Sequence, residues 1–404
     1  MPVTVHIPTA LRKFTHGAQS VELAATSLPS LLDQLGARFP EISRHLRDDN
    51  GELRRFLNIY VNDADIRFLG GVTYEFRDGD DVLLVPSIAG GTPTPGGAEV
   101  CVPATSANLG CAFDCGAVAV NRYLRARASL RHELGVAFSY KGMDAGRVPL
   151  GKSNLLVQAI QGFAASRGEE LPGLRVEVES EIPVGVGFGS SAASIVAGLV
   201  LGAQLLGAED YEDNEILSLA AKMEGHPDNV TAAYLGGLTV AFLEEQSGRV
   251  LFAKALVPAD LRMIAIVPDV PLATQSARAV LPASYSREDV VHNLQRAVLL
   301  AAACFSGSFA LQPELFRDRL HQPYRSRLIP GLEACLEVRH PALLGVFLSG
   351  AGSSVLALVR DAEEEVAERL AQEFERHGLS TQTFFLQAEN RGVRELVRDG
   401  AGKG

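Results

Sequence analysis

The stretch PVGVGFGSSAASIVAGLVLGAQLLGA, residues 183–208, decides the fold class of most of the chain. Glycines stand at positions 185, 187 and 189, two serines follow, and the apolar run 192–208 begins directly after them. The run is shorter than the ~20 residues that a bilayer-spanning helix requires, so it predicts a buried helix. Glycines ahead of a helix let a polyphosphate approach free N–H groups and the positive end of the helix dipole. The stretch therefore predicts a strand-to-helix phosphate loop.

Two other phosphate-binding patterns are excluded at these glycines. A dinucleotide fingerprint needs Gly or Ala three places after Gly187, where Ser190 stands, and a Walker loop needs Gly-Lys-Ser or Gly-Lys-Thr, which this stretch lacks. The preceding LRVEVESEI, 174–182, alternates apolar and charged residues and predicts a half-exposed strand. A tight turn that binds no ligand would explain the glycines alone. Motifs elsewhere in the chain decide between these interpretations.

Size and composition restrict the classes of protein. A chain of 404 residues predicts two or three domains, and 47% hydrophobic with 21% charged residues is typical of globular proteins. The net charge of -11 argues against a nucleic-acid binder and favours a small-molecule or protein partner. No signal peptide or membrane span is expected. Five cysteines without paired spacing favour a reducing, cytoplasmic location over a disulfide framework.

The first 91 residues predict a separate unit. VTVHIP and SVELA alternate as strands, and SLPSLLDQLGARFP repeats Leu at helical spacing after a possible cap at Ser27. NIYVNDADIRF predicts two short strands about a turn at 62–65, and DGDDVLLVPS predicts a last strand. Five strands and one helix in this order predict an α+β domain of the β-grasp, ubiquitin-like type.

Three segments of this unit, VNDADIRFLGG, DGDDVLLVPSIAGG and the tail Gly90-Gly91, resemble the ubiquitin-like sulfur carriers, closest to the carrier of thiocarboxylate-dependent cysteine synthesis. In such carriers the terminal glycine is adenylated and becomes a thiocarboxylate. Here Gly91 is bonded to Thr92. The resemblance implies either a protease that cuts after Gly91, with an adenylating enzyme as second partner, or a fused domain joined by a Pro-stiffened linker over 92–98.

Three motifs join the phosphate loop. They are VPATSANLGCAFDCGAVAV (102–120), KMEGHPDNVTAAYLGGLTV (222–240) and FLSGAGSSVLALV (347–359). In this order they resemble the superfamily of galactokinase, homoserine kinase, mevalonate kinase and phosphomevalonate kinase, over about residues 99–396. The resemblance implies a two-layer α+β kinase fold of two halves, 99–260 with the phosphate loop and 261–404, and predicts a homodimer.

Details within the motifs resemble the homoserine kinases. PATSANLGCAFD and EGHPDNV are accompanied by ATQSARAVLP, 273–282, and RLHQPYR, 319–325, which add two arginines. A planar guanidinium grips a carboxylate bidentately, and homoserine carries one. The resemblance implies transfer of the ATP γ-phosphoryl group to the L-homoserine hydroxyl, giving O-phosphohomoserine for threonine biosynthesis.

The resemblance also assigns roles to residues. Ser191 and Glu224 would hold Mg2+, and Asp114 the substrate ammonium group. The nucleotide would contact Asn154, Pro183, Val184, Gly185, Val186, Gly187, Phe188, Gly189, Ser190, Ser191, Ala192 and Ala193. The substrate would contact Asn108, Asp114, His226, Asp228, Asn229, Arg278 and Arg325.

Several alternatives stay open at this point. Asn229 matches a mechanism that holds the hydroxyl in line without a base, whereas Asp228 beside it could serve as general base. Cys111 and Cys115 are four residues apart, a spacing explained by two small buried residues more simply than by a metal site. Each proposed ligand could instead stabilise a turn or form a surface pair. The chain could also be a sulfur-delivery protein with an inactive kinase body, or a kinase with another substrate.

Four departures from the family pattern fall within the motifs. Cys111-Ala112 stands where Pro-Gly is usual, Val186 replaces a polar residue, Phe188 replaces Leu, and Ser353 replaces Pro. The first of these adjoins the predicted substrate loop, so it bears on substrate choice more than on phosphoryl transfer.

Overall fold

The computed structural model describes residues 2–12, 14–47, 57–62, 64–86, 97–131, 133–171, 173–208 and 211–395. The strands within these ranges are β1 Val3–His6, β2 Ser20–Leu23, β3 Leu57–Val61, β4 Ala64–Asp65, β5 Asp81–Pro86, β6 Ala98–Ala107, β7 Gly116–Arg131, β8 Gly135–Gly142, β9 Gly173–Ser180, β10 Leu238–Leu243, β11 Val250–Ala255, β12 Arg262–Pro268, β13 Leu343–Leu348, β14 Val355–Val359, β15 Thr381–Gln387 and β16 Arg394–Glu395.

The α-helices alternate with these strands along the chain. They are α1 Thr9–Arg12, α2 Leu28–Arg38, α3 Ser43–Leu46, α4 Leu155–Ser166, α5 Ser190–Leu206, α6 Asp213–Glu224, α7 Asp228–Leu235, α8 Thr274–Ala279, α9 Arg287–Phe305, α10 Gln322–Arg325, α11 Leu332–Leu336 and α12 Glu363–Glu375. Short 3-10 helices cover Pro40–Ile42, Ile66–Phe68, Gly71–Thr73, Ala145–Arg147, Gly151–Ser153, Pro313–Phe316 and Ser326–Leu328.

The N-terminal domain is a five-stranded sheet with the order β2-β1-β5-β3-β4. β1 runs parallel to β5, and the other neighbours are antiparallel. Ser27 begins α2 by accepting a hydrogen bond from the Ser30 N–H at 3.4 Å. Leu28, Leu31 and Leu35 of α2 are buried in the core of the domain. The predicted β-grasp fold is confirmed. The one-turn helices α1 and α3 escaped prediction because four residues carry no helical periodicity.

Residues 87–96 lie outside the described ranges, so the tail Gly90-Gly91 and most of the predicted linker cannot be compared with the structure. β6 already begins at Ala98, inside the predicted linker 92–98. The segment from Ala98 to Val257 contains β6 to β11 and α4 to α7, and β12 begins the second sheet of the kinase region.

The kinase region contains two sheets. The first has the order β11-β10-β7-β6-β16, with β9 beside β7 and β8 parallel to β9; the second has the order β13-β14-β12-β15. α5 and α7 pack against β6 and β7, and α12 packs against β12 and β15. β16 returns the C-terminal segment to the first sheet, where Arg394 lies opposite Cys101. The predicted α+β fold of two halves is confirmed.

Helix α5 is buried on nearly all sides because it lies between α4, α6, α7 and the first sheet. The close approach of α4 depends on Gly198, where a Cβ atom would come within 2.3 Å of the Leu156 carbonyl oxygen. Among the residues that the structure describes, no helix combines the length and the apolar character needed to cross a bilayer.

Candidate active site

The phosphate loop connects β9 to α5 and is fixed by backbone contacts that only glycine permits. A Cβ atom on Gly187 would lie 2.1 Å from the Ser349 carbonyl oxygen, and one on Gly189 would lie 2.0 Å from Thr105 Oγ1. Both glycines also have positive φ angles, 95° and 65°. The loop is therefore pressed between β6 and the turn after β13, and side chains at these positions would push it out of place.

Hydrogen bonds complete the attachment of the loop. Ser349 Oγ donates to the Gly187 carbonyl at 2.6 Å and lies 2.7 Å from Ser106 Oγ. The Thr105 N–H donates to the Phe188 carbonyl at 3.1 Å. Within the described ranges no side chain caps the N-terminus of α5. The first N–H groups of α5 are thus available to an anionic ligand.

Ser191 and Glu224 meet where α5 begins and α6 ends. Ser191 Oγ donates to Glu224 Oε2 at 2.6 Å. Burial raises the pKa of Glu224, although the Ser191 hydrogen bond and His226 oppose the shift. Glu224 forms no ion pair with Lys or Arg in the described part of the chain. A half-buried carboxylate beside a hydroxyl is a hard-oxygen pair suited to a divalent cation such as Mg2+.

Two cavities open on either side of this loop. One, of about 110 Å³, is polar and lies between Ser191, Asp228 and Arg278. The other, of about 250 Å³, is mainly apolar and is lined by Phe138, Tyr140 and other side chains. The loop residues Gly185, Ser190 and Ser191 border both cavities. The glycine-rich loop therefore lies between an apolar cleft and a polar pocket.

Asp228 and His226 form a close pair at the wall of the polar cavity. His226 Nδ1 lies 2.5 Å from Asp228 Oδ1, which also accepts the Asn229 N–H at 2.6 Å. Burial disfavours the charged imidazole, but the Asp228 hydrogen bond and charge outweigh it and raise the pKa of His226. Thr105 Oγ1 donates to Asn229 Oδ1 at 2.7 Å. Asp228 thus acts as an anchor for its neighbours, which favours the base-free alternative.

Arg278 and Asp114, predicted to bind opposite ends of the substrate, bind each other. The guanidinium donates from Nη1 and Nη2 to the two carboxylate oxygens at 3.0 and 2.9 Å. Asn108, also predicted as a substrate ligand, accepts the Asp114 N–H at 3.0 Å and donates to the Gly350 carbonyl at 2.7 Å. Its amide therefore shapes the loop that presents Asp114, in addition to lining the cavity.

Arg325 is the largest fully buried side chain of the described structure, with 1% exposure. It donates to the carbonyls of Ala277 and Gly350 at 3.1 and 3.0 Å, and its guanidinium carbon lies 5.3 Å from the centre of the Phe113 ring. Burial, together with Arg278, lowers the pKa of Arg325. Among the described residues no carboxylate forms an ion pair with it. A buried guanidinium at the cavity wall with no carboxylate in an ion pair is chemically suited to an anionic ligand group.

His321 holds Arg325 from one turn earlier. Its Nδ1 accepts from Arg325 Nη1 at 3.2 Å, and its Nε2 donates to the Gly110 carbonyl at 2.8 Å. Burial lowers the pKa of His321, so the neutral ring with a proton on Nε2 suits both bonds. Sequence reasoning missed this residue, although RLHQPYR places it four residues before Arg325 on one helix face.

The structure brings most of the predicted ligands together. All seven predicted substrate residues line the polar cavity, with Ser191 and Glu224. Four residues predicted to contact the nucleotide are buried and line neither cavity: Pro183, Val186, Ala192 and Ala193. Asn154 borders the apolar cavity, and its side chain caps α4 through the Leu156 N–H at 2.9 Å.

Two groups of side chains in or near the polar cavity have the chemistry of metal ligands. Asp114, His226 and Asp228 lie close enough to hold a metal ion. However, Asp114 already pairs with Arg278, and His226 and Asp228 already pair with each other. Burial raises the pKa of Cys111 to about 12 and that of Cys115 to about 11. Both are free thiols; Cys111 is buried and Cys115 is half-buried.

Comparison with known proteins places this site in a family. Residues 154–237 match the GHMP kinases N terminal domain, residues 299–376 match the GHMP kinases C terminal domain, and residues 5–91 match the ThiS family. Curated homoserine kinases from Solibacter usitatus and Deinococcus radiodurans are 41% and 42% identical over 298 and 255 residues. These alignments cover 74% and 63% of this chain and 96% and 81% of the relatives.

A solved structure supports the same family assignment. The crystal structure of homoserine kinase from Cytophaga hutchinsonii is 27% identical, with a TM-score of 0.65, over 76% of this chain and 99% of that one. The chain therefore belongs to the homoserine kinase family of the GHMP kinases and carries a ThiS-family domain before the kinase.

Proposed function

We propose that the kinase region transfers the γ-phosphoryl group of ATP, the donor implied by its kinase family, to the hydroxyl of L-homoserine. The product is O-phosphohomoserine, a precursor of threonine. The observation that carries the proposal is the buried guanidinium of Arg325, which faces the polar cavity without a carboxylate partner. An amino-acid substrate supplies that carboxylate, and curated relatives of this chain are named homoserine kinases.

Homoserine has two charged groups for three charged side chains. Its carboxylate would bind Arg325 and Arg278, and its ammonium group would bind Asp114 in place of part of the present ion pair. Exchange of partners costs little here because Arg278 and Asp114 each remain about a third exposed to water. The hydroxyl end would then lie against His226 and Asn229.

The nucleotide would occupy the other cavity and the loop. Adenosine would lie in the apolar cleft beside Asn154, and the phosphates at the loop 185–191 and the start of α5. Ser191 and Glu224 would hold Mg2+, which neutralises phosphate charge when bound. Phosphoryl transfer depends chiefly on such positioning and charge neutralisation.

In this proposal no side chain serves as general base, and the proton of the substrate hydroxyl passes to an oxygen of the transferred γ-phosphoryl group as the bond to ADP breaks. Asp228 Oδ1 accepts from both His226 and the Asn229 backbone, so its role is to orient these two residues. They in turn align the hydroxyl with the γ-phosphate. The charged side chains around the cavity would hold the substrate in this one orientation.

Arg325→Lys tests the carboxylate assignment. The variant keeps a positive charge but loses the planar fork, so the KM for homoserine should rise about 10- to 100-fold while the KM for ATP stays near its original value. Arg327→Lys, an exposed position two residues later, is the matched control. ADP release is measured at varied homoserine and varied ATP. An unchanged homoserine KM in Arg325→Lys would exclude the clamp.

The ThiS-family match extends to residue 91 and supports a second function for the N-terminal domain. We propose domains at 1–91, 99–260 and 261–404 with a linker at 92–98, and cleavage after Gly91 by a protease. An adenylating enzyme would then activate the released carrier in the cytoplasm. Intact mass spectrometry of protein from the native host tests this: a chain ending at Gly91 is expected, and only uncut chains would leave the segment a linker.

A further inference from the structure

A third cavity, of about 340 Å³, borders helix α10. It is larger than the polar and the apolar cavity, and in the described part of the chain it shares no lining residue with either. Its walls come from α9, α10, α11, β13 and the 3-10 helix Pro313–Phe316. The volume is within the roughly 300–1,000 Å³ typical of small-molecule sites. No step of the proposed phosphoryl transfer uses this cavity.

One part of the lining of this cavity is apolar. Phe316 and Val346 belong to it and are only 2% and 7% exposed. Leu336 and two prolines, Pro313 and Pro323, complete this part. Apolar surface in a pocket favours a ligand that carries an apolar group of its own.

Two charged side chains of the lining have no ion-pair partner within the described ranges. They are Arg317 and Glu333, and both are exposed to solvent. The other two arginines of the lining, Arg319 and Arg339, each already pair with a glutamate. A guanidinium binds a carboxylate through two hydrogen bonds, and a carboxylate binds an ammonium group. A ligand that carries both charges therefore has a partner for each.

His292 adds a polar atom that has no partner. Its Nε2 is buried and forms no hydrogen bond to the residues that the structure describes. Burial and the charges of Arg296 and Arg319 lower the pKa of His292, so the ring is neutral near pH 7. Because an unsatisfied buried nitrogen is unfavourable, a polar ligand group beside His292 would be stabilised.

Helix α10 lies between this cavity and the substrate cavity. Gln322 and Ser326 line the third cavity, whereas Arg325 lines the substrate cavity. Gln322 Oε1 also accepts the Leu348 N–H at 2.7 Å, just before the turn whose Gly350 carbonyl accepts from Arg325 at 3.0 Å. A ligand that packs against Gln322 therefore restricts the helix that holds the Arg325 guanidinium in place.

Asp318 provides a second connection between the two cavities. It lines the third cavity, and its Oδ2 accepts the Gln322 N–H at 2.6 Å. Its Oδ1 accepts from Asn293 Nδ2 at 2.7 Å, and the same nitrogen donates to the Cys111 carbonyl at 3.1 Å. Cys111 belongs to the loop that presents Asp114. Both ends of the proposed substrate site are thus linked to the wall of the third cavity.

We propose that the third cavity binds an α-amino acid with an apolar side chain, and that this ligand activates the kinase by lowering its KM for homoserine. The ligand carboxylate binds Arg317, the ammonium group binds Glu333, and the side chain packs on the apolar lining. The cavity is open while Arg325 is in place, so a ligand that fits it stabilises this arrangement of α10. The activation, but not the binding, rests on the proposed function.

Isothermal titration calorimetry of the full chain with L-leucine tests the site. The titration contains saturating L-homoserine and no ATP, so that the substrate cavity is occupied and no turnover occurs. We expect one L-leucine to bind per chain. No binding would overturn the proposal, and so would competition with homoserine, which would place L-leucine in the substrate cavity instead.

Arg317→Gln tests the carboxylate contact without disturbing the core, because Arg317 is exposed. Loss of the guanidinium should raise the Kd for L-leucine about tenfold. Arg327→Gln is the matched control, since Arg327 is also exposed but lines none of the three cavities. An unchanged Kd in Arg317→Gln would exclude this site for the ligand.

Glu333→Gln tests the ammonium contact. The probe is 4-methyl-2-oxopentanoate, which has the carbon skeleton and carboxylate of L-leucine but no ammonium group. The unaltered protein should bind it about tenfold more weakly than L-leucine, whereas Glu333→Gln should bind the two ligands with similar affinity. Equal affinity of the unaltered protein for both ligands would contradict the assignment of an amino acid.

Kinetics test the activation. Saturating L-leucine should lower the KM for homoserine about fivefold and leave the KM for ATP unchanged, as expected for a coupling free energy of ordinary size. Arg317→Gln should show no such decrease at the same L-leucine concentration. A homoserine KM that stays the same or rises would disprove the activation. Absence of homoserine turnover in the unaltered protein would instead disprove the proposed function, and the calorimetric result would stand.

Discussion

At the scale of single residues, the site combines paired charges with two charged side chains that form no ion pair among the described residues. Among the described residues, Arg325 is a buried cation that no carboxylate pairs with, and Glu224 is a half-buried carboxylate that forms no ion pair with Lys or Arg. Both would cost several kcal/mol if nothing compensated them. An amino-acid carboxylate and a divalent ion are the groups that would do so, and both belong to one phosphoryl-transfer reaction.

Glu224→Gln should weaken activation by Mg2+. The amide keeps the size of the side chain and can accept from Ser191, but it loses the negative charge that attracts the ion. We expect kcat/KM to fall about 100-fold, close to 3 kcal/mol, with half-saturation at higher Mg2+. Glu215→Gln on the same helix, where Glu215 pairs with Arg167, is the control. The same Mg2+ dependence in Glu224→Gln and in the unaltered protein would remove Glu224 from the metal site.

His321 should make stability depend on pH. Burial lowers the pKa of this ring in the folded state, so the unfolded chain binds more protons as pH falls below about 6.5. Stability is therefore fully present above that pH and decreases below it. His321→Gln should reduce the decrease between pH 6.5 and 5, whereas the exposed His377→Gln should not. Melting temperatures over this range give the comparison, and parallel curves for His321→Gln and the unaltered protein would speak against a neutral buried ring.

The charged partners in the site show what sequence could predict at this scale. Ser191 and Glu224 were predictable because each lies within a short motif beside its glycine. The Asp114–Arg278 ion pair was not, since 164 residues separate its members and only tertiary packing joins them. Asn108 was assigned to the substrate, but the structure adds a backbone role because its left-handed conformation, φ 72°, turns the loop.

At the scale of elements, α5 and its loop carry the phosphate site. The sequence predicted this helix well because its apolar run and its glycines are contiguous. It could not show that α5 is pressed against α4, nor that β8 pairs parallel to β9, because these are contacts between distant segments. The sequence also could not show which apolar face of α9 is buried and which is exposed, because that depends on the segments that pack against it.

Gly198→Ala should destabilise the kinase region. The added methyl group would lie 2.3 Å from the Leu156 carbonyl oxygen, so α4 and α5 would have to separate. We expect a loss of about 1–3 kcal/mol in the free energy of unfolding. Gly162→Ala in α4 is the control, because its nearest neighbour is Met223 Sδ at 3.9 Å and Ala favours the helix. Chemical denaturation measures both, and equal stability of the two variants would argue against close packing here.

At the scale of the whole molecule, the chain joins two units with different chemistry. Strand, turn and helix patterns were enough to predict the β-grasp domain, whereas the kinase was identified by the resemblance of its four motifs to a known family. Because both domains belong to one chain, the kinase that would make a phosphorylated four-carbon acceptor and the carrier that would donate sulfur are synthesised together. This link requires both proposed functions to hold.

The central claim is that this kinase phosphorylates the homoserine hydroxyl. The most direct measurement is 31P NMR of the unaltered protein with ATP, Mg2+ and L-homoserine. The account predicts a new phosphate monoester on the homoserine oxygen that forms in equal amount with ADP. ADP formation that does not depend on homoserine, or no monoester, would contradict it.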